Sequence, residues 1–156
     1  MTMSFEEITI ETLYIALEII NSNSSYNVLE NGERARTLAD IEGELMNPNT
    51  KSVFIKLDDT YIGLLEYLMD NPKDHYPWLG LLMIHSDYHG YGFGTQAYAL
   101  YEEIMRERGV ERVRIGVLKE NGKAHTFWKS LRFHFFKTTV WYNGKEILCY
   151  EKELLS

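Results

Sequence analysis

The residues best placed to do chemistry in this chain are three glycines at alternate positions, Gly90, Gly92 and Gly94. They follow the apolar run Leu79–Ile84, which has the composition of a buried strand, and they precede a segment with apolar residues at helical spacing. A glycine turn from a strand into a helix exposes several backbone N–H groups at the positive end of the helix dipole. Such a turn binds phosphate groups, so the pattern predicts a phosphate-bearing ligand.

Two common phosphate-binding motifs do not match this loop. A P-loop ends in Gly-Lys followed by Ser or Thr, whereas Gly94 is followed by Thr95 and Gln96. A dinucleotide loop has a third glycine where this chain has Thr95, and an acidic residue at the end of the next strand. Here Glu111 is at the start of the next apolar run instead. A purely structural turn and a nucleotide site of another kind remain as alternatives.

A third motif fits the loop better. Residues 89–94, His-Gly-Tyr-Gly-Phe-Gly, resemble the coenzyme A signature of the GNAT superfamily of N-acetyltransferases, which is usually Arg/Gln-x-x-Gly-x-Gly/Ala. Residues 121–133, NGKAHTFWKSLRF, resemble the second signature of that family, an Asn, a short helix and an aromatic-x-x-Leu-Gly-Phe ending. The resemblance covers residues 50–153, about two-thirds of the chain.

Four residues depart from the family pattern. His89 is found where Arg or Gln is usual, Ser86 where Pro is common, and Arg132 where Gly is usual. Trp128 is found where many members carry a Tyr that is thought to protonate the departing thiolate. Because the backbone does most of the phosphate binding, the changes at positions 86 and 89 should have little effect, whereas the change at position 128 leaves the acid unassigned.

The resemblance implies one domain over residues 1–156 with a GNAT-type α/β (α+β) fold. We expect a single mixed, mostly antiparallel sheet of about seven strands with a splayed parallel pair, flanked by four helices. The implied activity is transfer of the acetyl group of acetyl-CoA to a primary amine of a small molecule or protein by direct attack. The alternative is a catalytically weak or inactive CoA- or acyl-CoA-binding sensor or structural protein. A homodimer is compatible with either function.

The resemblance also places acetyl-CoA along the glycine loop and the strand before it. Freed backbone groups of the strand would bind the pantetheine arm and the acetyl carbonyl, and the loop N–H groups would bind the pyrophosphate. Asn121 would bind near the thiol end, although it is equally suited to begin a helix. The implied cofactor-binding residues are Leu82, Met83, Ile84, His89, Gly90, Tyr91, Gly92, Phe93, Gly94, Thr95, Asn121, Phe127 and Trp128.

Acetyl transfer to an amine needs a group that accepts the proton of the amine, because an amine of pKa about 10.4 is almost wholly protonated at pH 7. Glu66, inside the apolar strand predicted at 61–69, is the best carboxylate, since burial would raise its pKa. The alternative is that Glu66 lies on the solvent-exposed face of that strand and has no catalytic role. Asp74 and His75 are looser candidates, and Trp78, near the usual place of a Glu, cannot act as a base.

The proton donor for the thiolate has no residue at the usual position. Tyr142 and Tyr150, on the last predicted hairpin, could reach the site. Otherwise water would supply the proton, and Trp128 would shield the thiol.

The composition of the chain restricts the classes of binding partner and the cellular compartment that we expect. The net charge of −7 argues against nucleic acid and favours a cationic substrate, unless the protein is simply acidic. Cys149 is the single cysteine, which suits a reducing cytoplasm, and the acidic N-terminal residues lack the zones of a signal peptide. No apolar stretch is long enough for a membrane span. His85 and His89 flank a glycine turn without a third ligand, so we expect no metal.

Hydrophobic periodicity predicts the order β-α-α-β-β-β-α-β-α-β-β. The polar segment 21–25 is predicted to end the first helix, and Asn143-Gly144 to turn the last hairpin. Helices are predicted at 11–21, 38–45, 93–108 and 124–131, and strands at 8–10, 52–57, 61–69, 78–84, 111–118, 133–142 and 145–153.

Overall fold

The computed structural model describes residues 1–141 and 143–154, which form seven strands and five α-helices. No helix in these residues is long and apolar enough to cross a bilayer. The strands are β1 (Met3–Glu7), β2 (Lys51–Leu57), β3 (Thr60–Leu68), β4 (Trp78–Ile84), β5 (Arg112–Leu118), β6 (His134–Val140) and β7 (Glu146–Glu153). The helices are α1 (Leu13–Asn21), α2 (Ser24–Asn31), α3 (Leu38–Leu45), α4 (Phe93–Glu107) and α5 (Gly122–Ser130).

The strands form one mixed sheet in the order β1-β2-β3-β4-β5-β7-β6. Neighbouring strands are antiparallel except β4 and β5, which are parallel. This parallel pair is joined only at Trp78–Arg114 and Leu79–Ile115, so the two strands separate over the rest of their length. The predicted fold class and its splayed parallel pair are therefore confirmed.

Helices cover both faces of the sheet. α1 and α3 pack on one face, where Phe54, Leu64 and Met83 belong to a buried cluster with the apolar residues of these helices. α4 and α5 pack on the other face, where Tyr98 and Trp128 are in T-shaped contact with a ring-centroid distance of 5.7 Å. The gap between β4 and β5 is thus walled by helices from both sides.

The prediction of four helices was wrong by one, because the segment 21–25 ends α1 and also begins α2. The reason lies in Asn27, which is polar but only 1% exposed. Its side-chain amide donates to the backbone oxygens of Ile20 and Arg34 and so ties α2 to the end of α1 and to the loop that follows. These are tertiary contacts, and they have no counterpart in the hydrophobic periodicity.

The first strand also lies earlier than predicted. β1 is Met3–Glu7, whereas the sequence prediction was 8–10. Ile8 is buried and its N–H donates to Ser52 O, but the strand has ended by then. Thr9 and Thr12 turn the chain into a short 3-10 segment, in which the Thr9 N–H donates to the Thr12 hydroxyl.

Candidate active site

A cleft of about 710 Å³ opens where β4 and β5 separate. Residues of both strands, of α2, of the glycine loop and of the first turns of α4 and α5 line it. This volume lies in the range of small-molecule sites, which occupy roughly 300–1,000 Å³. The sequence-predicted loop and the second signature therefore meet at one cavity.

The glycine loop, residues 89–94, forms one end of the cleft. Gly90 and Gly92 have φ angles of 86° and 80°, a left-handed conformation that other residues adopt only with strain. Gly92 is the N-cap of α4, so the N–H groups of the first turn point out of the helix. The N–H groups of residues 90–95 have no acceptor in the described part of the chain. This end of the cleft is therefore built to bind an anion.

The side chains of the loop hold its shape rather than reach into the anion site. The His89 ring turns back, and its Nε2 is 2.7 Å from Ile84 O at the end of β4. The side chain of Tyr91 is 69% exposed and lies against Phe93 outside the cleft. A Cβ on Gly94 would lie 3.6 Å from the Phe127 ring, an ordinary van der Waals distance, so α5 packs directly beside the loop.

The open edge of β4 offers backbone groups to the cleft. His85 N–H donates to β3, and backbone groups alternate between the two sides of a strand, so Leu82 and Ile84 direct theirs into the gap. The Ile84 carbonyl already accepts hydrogen bonds from the Asn23 side chain and from the histidine ring of the loop. Met83 faces β3, and its side chain is buried beneath α1 and α3. Leu82 is thus the predicted strand residue whose N–H and C=O stay open.

α5 supplies the opposite wall. Asn121 caps this helix through Oδ1, which accepts from the Ala124 N–H at 3.2 Å, while its Nδ2 has no partner within the described residues. Trp128 is 8% exposed and packs in T-shaped contact with Phe127 and Phe133. The indole contributes an apolar surface to the cleft and carries no acidic proton that could serve a leaving thiolate.

The structure describes one of the two tyrosines considered as proton donors. Tyr150 is 1% exposed, and its hydroxyl is 2.8 Å from His125 Nδ1. His125 Nε2 lies 3.0 Å and 3.1 Å from the carbonyl oxygens of Leu118 and Lys119, so Nε2 carries the hydrogen and Nδ1 accepts from the tyrosine. The Tyr150 proton is therefore directed away from the cleft. Tyr142 lies outside the described residues.

Glu66 lies on β3 beside a β-bulge of β4. Its Cα pairs with Leu81 while Tyr67 pairs with Leu79, so Gly80 is the extra residue of the bulge. A Cβ on Gly80 would lie 3.8 Å from Glu66 Oε1. Since Gly80 lines the cleft, the carboxyl group lies directly behind a wall that has no side chain. No hydrogen bond to this carboxyl group is present in residues 1–141 and 143–154.

The surroundings of Glu66 favour its neutral form. Burial raises the pKa of this carboxyl group to about 7, and the negative charges of Glu44 and Glu30 add to the effect. A carboxyl group with this pKa is partly ionised at neutral pH and can accept and release a proton, as a general base must.

This raised pKa predicts a pH-dependent effect of Glu66 on stability. The unfolded chain ionises at its ordinary pKa of 4.5 and the folded chain near 7, so the folded state loses stability as the pH rises through this window. At pH 8, Glu66→Gln should therefore have a free energy of unfolding about 1–3 kcal/mol above that of the wild type, and a higher unfolding temperature. At pH 4 the two proteins should unfold at nearly the same temperature. Thermal melts at the two pH values would test this, and an equal difference at both would contradict it.

The other acid and base candidates are engaged elsewhere. Burial raises the pKa of Asp74, but hydrogen bonds from the Tyr76 N–H, from Trp78 Nε1 and from Arg114 outweigh burial and lower it below its usual value. It is thus a paired anion beneath the joined end of β4 and β5. His75 is exposed beside Asp70. Among the described residues, no three His, Cys, Asp or Glu side chains are grouped to bind a metal.

Several cleft residues were not found by sequence reasoning. Tyr26 and Glu30 line the cleft from α2, Asn23 lines it from the N-cap of that helix, and Lys123 lines it from α5. The only local signal for α2 was a possible N-cap at Asn23 followed by two serines, and this segment was interpreted as a helix stop. Lys123 follows the Asn-Gly of the second signature, and it brings a positive charge to the cleft.

Comparison with known proteins agrees with this geometry. A sequence model of the acetyltransferase (GNAT) family matches residues 14–133. No curated protein matches the sequence. The solved structure of an acetyltransferase from Thermus thermophilus is 24% identical, with a TM-score of 0.84, and the match covers 98% of this chain and 97% of that one.

Two further solved structures share the fold. PaiA N-acetyltransferase from Thermoplasma acidophilum, in complex with coenzyme A, is 19% identical with a TM-score of 0.66, and the match covers 98% of this chain and 99% of that one. The third structure is an acetyltransferase from Salmonella typhimurium that modifies the N-terminal serine of a 50S ribosomal protein. It is 12% identical with a TM-score of 0.80, and the match covers 97% of this chain and 95% of that one. Because the family model spans most of the sequence and the fold agrees, this chain belongs to the acetyltransferase (GNAT) family.

Proposed function

We propose that the protein is an N-acetyltransferase that transfers the acetyl group of acetyl-CoA to a primary amine of a small molecule or protein. One observation carries the proposal. The cleft has an anion site at one end, formed by N–H groups that have no acceptor in the described residues, and the Glu66 carboxyl group of raised pKa lies behind the Gly80 wall of the same cleft. Transfer needs both, because one end must hold the cofactor and the other must take a proton from the acceptor.

The residues that line the cleft fit coenzyme A. The N–H groups of residues 90–95 suit its pyrophosphate, and the ammonium group of Lys123 adds a positive charge nearby. The open backbone of Leu82 and the free Nδ2 of Asn121 suit the amides of the pantetheine arm. The rings of Phe127 and Trp128 give that arm an apolar wall. The structure of PaiA N-acetyltransferase in complex with coenzyme A supports this fit by analogy of fold.

The reaction follows from the two ends of the cleft. Bound acetyl-CoA supplies a thioester carbonyl that an amine can attack. Glu66 accepts the proton of the amine, directly or through a water molecule, so that the nitrogen lone pair becomes available. The N–C bond then forms, and the Leu82 N–H is an open donor on β4 for the oxygen that becomes negative. The C–S bond breaks, the electron pair leaves with sulfur, and the nitrogen releases its second proton to water as the amide forms.

The departing thiolate takes its proton from water in this proposal. The position usual for an acid holds Trp128, and the Tyr150 hydroxyl donates to a histidine outside the cleft. A free thiol has a pKa of about 8.5, so the thiolate is a moderate leaving group and does not depend on a strong acid.

The test is an assay of acetyl transfer with acetyl-CoA and three classes of amine: an alkyl diamine, an amino sugar, and a peptide with a free N-terminus. Release of free thiol that depends on the amine, together with the mass of the acetylated product, would support the proposal. Binding of acetyl-CoA without transfer to any of these amines would instead favour a CoA-binding sensor.

A further inference from the structure

We propose that Ser52 is a positioning residue for the reaction, and that its hydroxyl donates a hydrogen bond to the Glu66 carboxylate, directly or through one water molecule, when Glu66 is ionised and ready to accept a proton. The inference rests on the proposed acetyltransferase function and names a residue that sets the pH range in which its base can act. Ser52 lies outside the cleft, so it acts on Glu66 and not on a ligand.

Ser52 and Glu66 are opposite each other on β2 and β3. The Ser52 carbonyl accepts from the Ile8 N–H at 3.0 Å, on the side of β2 away from β3. In an antiparallel strand the N–H and C=O of one residue point to the same side, so Ser52 and Glu66 form a non-hydrogen-bonded pair. The side chains of such a pair share one face of the sheet, with Cβ atoms only about 4.5–5.5 Å apart. The Ser52 hydroxyl is therefore within reach of the Glu66 carboxyl group.

Both side chains lack a hydrogen-bond partner in the described residues. Ser52 is 5% exposed, and its buried Oγ has no donor or acceptor nearby. Glu66 is partly buried, and its carboxyl group accepts no hydrogen bond there. Buried polar side chains without partners are rare in folded proteins. Two of them opposite each other on adjacent strands indicate that they pair when the protonation state of Glu66 changes.

Apolar side chains border the pair on this face of the sheet. The next pair along the same face is Phe54 and Leu64, and both belong to the buried cluster that includes Leu45 of α3. A serine beside such a cluster costs stability unless its hydroxyl is hydrogen-bonded in a working state of the protein. The hydroxyl of Ser52 is thus better explained by Glu66 than by the packing of this face.

The carboxyl groups that face Glu66 oppose its ionisation. Burial, followed by the negative charges of Glu44 in α3 and Glu30 in α2, raises the pKa of Glu66 to about 7. Arg36 pairs with Glu44 and with Glu30, and within the described residues it forms no ion pair with Glu66. A neutral donor such as the Ser52 hydroxyl favours the ionised form of Glu66 without a counter-charge.

The hydroxyl group distinguishes the two protonation states of Glu66. An ionised carboxylate can only accept hydrogen bonds, and a serine hydroxyl can donate one. A hydrogen bond to a carboxylate is charge-assisted and stronger than one to the neutral acid. Ser52 therefore lowers the pH at which Glu66 becomes a base. When the carboxyl group takes the proton of the amine, this hydrogen bond weakens, and no covalent bond of Ser52 changes.

The first experiment is a ¹³C NMR titration of the Glu66 carboxyl carbon in protein labelled with ¹³C-glutamate, with Glu66→Gln used to assign the signal. Ser52→Ala should raise the pKa of Glu66 by about 0.5–1 pH unit, because one hydrogen bond to the ionised form is lost. Ser52→Cys fills the same space with a weak donor and should titrate like Ser52→Ala. Ser4→Ala, which removes an exposed hydroxyl on β1, should titrate like the wild type.

The second experiment is the pH–rate profile of acetyl transfer with saturating acetyl-CoA. The rise of kcat with pH should move upward by the same amount in Ser52→Ala, so that its rate at pH 6 is about three- to tenfold below that of the wild type. At pH 9, where Glu66 is ionised in both proteins, the two rates should be nearly equal. A variant that only damaged the structure would have a lower rate at both pH values.

The outcomes separate this inference from the function on which it rests. Equal titration of Glu66 in the wild type and in Ser52→Ala would overturn the inference and leave the acetyltransferase function intact. A wild-type titration in Ser52→Cys would also overturn it, because the filled space and not the hydroxyl would then matter.

A changed NMR titration with an unchanged rate profile would overturn the role of Glu66 as the base, and with it the role of Ser52 in the reaction. Failure to acetylate any amine tested, with CoA still bound, would overturn the proposed function itself. The NMR titration would still decide in that case whether Ser52 acts on Glu66.

Discussion

Replacing Gly92 with glutamate is expected to abolish binding of CoA and acetyl-CoA, raising the dissociation constant about 100-fold or more, equivalent to about 2.7 kcal/mol. Gly92 is the N-cap of α4 and lines the cleft beside the unpaired N–H groups of residues 90–95. A carboxylate at this position would occupy the anion site and repel a pyrophosphate. Its negative charge would interact with the positive end of the α4 dipole in place of the ligand. Isothermal titration with CoA measures the effect.

The control for Gly92→Glu is Gly109→Glu, at the other end of α4. Gly109 also has a positive φ, 76°, so this variant carries a similar backbone strain of about 1–2 kcal/mol without touching the cleft. It should bind CoA as the wild type does, even if it unfolds at a lower temperature. Normal CoA binding by a folded Gly92→Glu protein would mean that the glycine loop is not the phosphate site.

Replacing Glu66 with glutamine is expected to lower kcat about 10²- to 10⁴-fold at neutral pH and to leave acetyl-CoA binding unchanged. The amide keeps the shape of the side chain but cannot accept a proton. In the wild type, the rate should rise with pH as the Glu66 carboxyl group ionises through its pKa of about 7. In the variant, the rate should no longer rise with pH near pH 7. A slow rate should remain, and it should increase with pH only as the free amine loses its proton.

A pH–rate profile of the wild type and of the variant checks this prediction. Glu103→Gln, an exposed substitution on α4, serves as a control for the loss of one negative charge and should keep the wild-type profile. If Glu66→Gln kept both the rate and the profile of the wild type, Glu66 would have no part in the mechanism and the base would have to lie elsewhere in the cleft.

The glycine loop at one end of the cleft could be predicted from the sequence because its signals are local. Gly90 and Gly92 adopt positive φ angles, a conformation for which glycine is the ordinary residue. The apolar run before them is β4, and the periodic segment after them is α4. Glu66 could be chosen as a candidate for a similar reason, since a carboxylate inside an apolar strand stands out against its neighbours, and its role as the base stays a prediction.

The α2 side of the cleft could not be predicted because it depends on tertiary contacts. α2 exists where the sequence shows a polar break, and the buried amide of Asn27 stabilises it through bonds to Ile20 O and Arg34 O. Asn23 then fixes the start of α2 to the end of β4. No periodicity in the sequence indicates these bonds, and without α2 the approach of Glu30 to Glu66 could not be foreseen.

The most direct measurement is thermal unfolding of the protein with acetyl-CoA, CoA, ATP or NAD, each at the same concentration. A ligand at about one hundred times its Kd should add roughly 2.7 kcal/mol to the free energy of unfolding. For a chain of this size, that gain is a rise in Tm of about 5 °C or more. We expect this rise with acetyl-CoA and with CoA, and not with ATP or NAD. No rise with either CoA species would contradict a coenzyme A site in the cleft and remove the main support for an acetyltransferase.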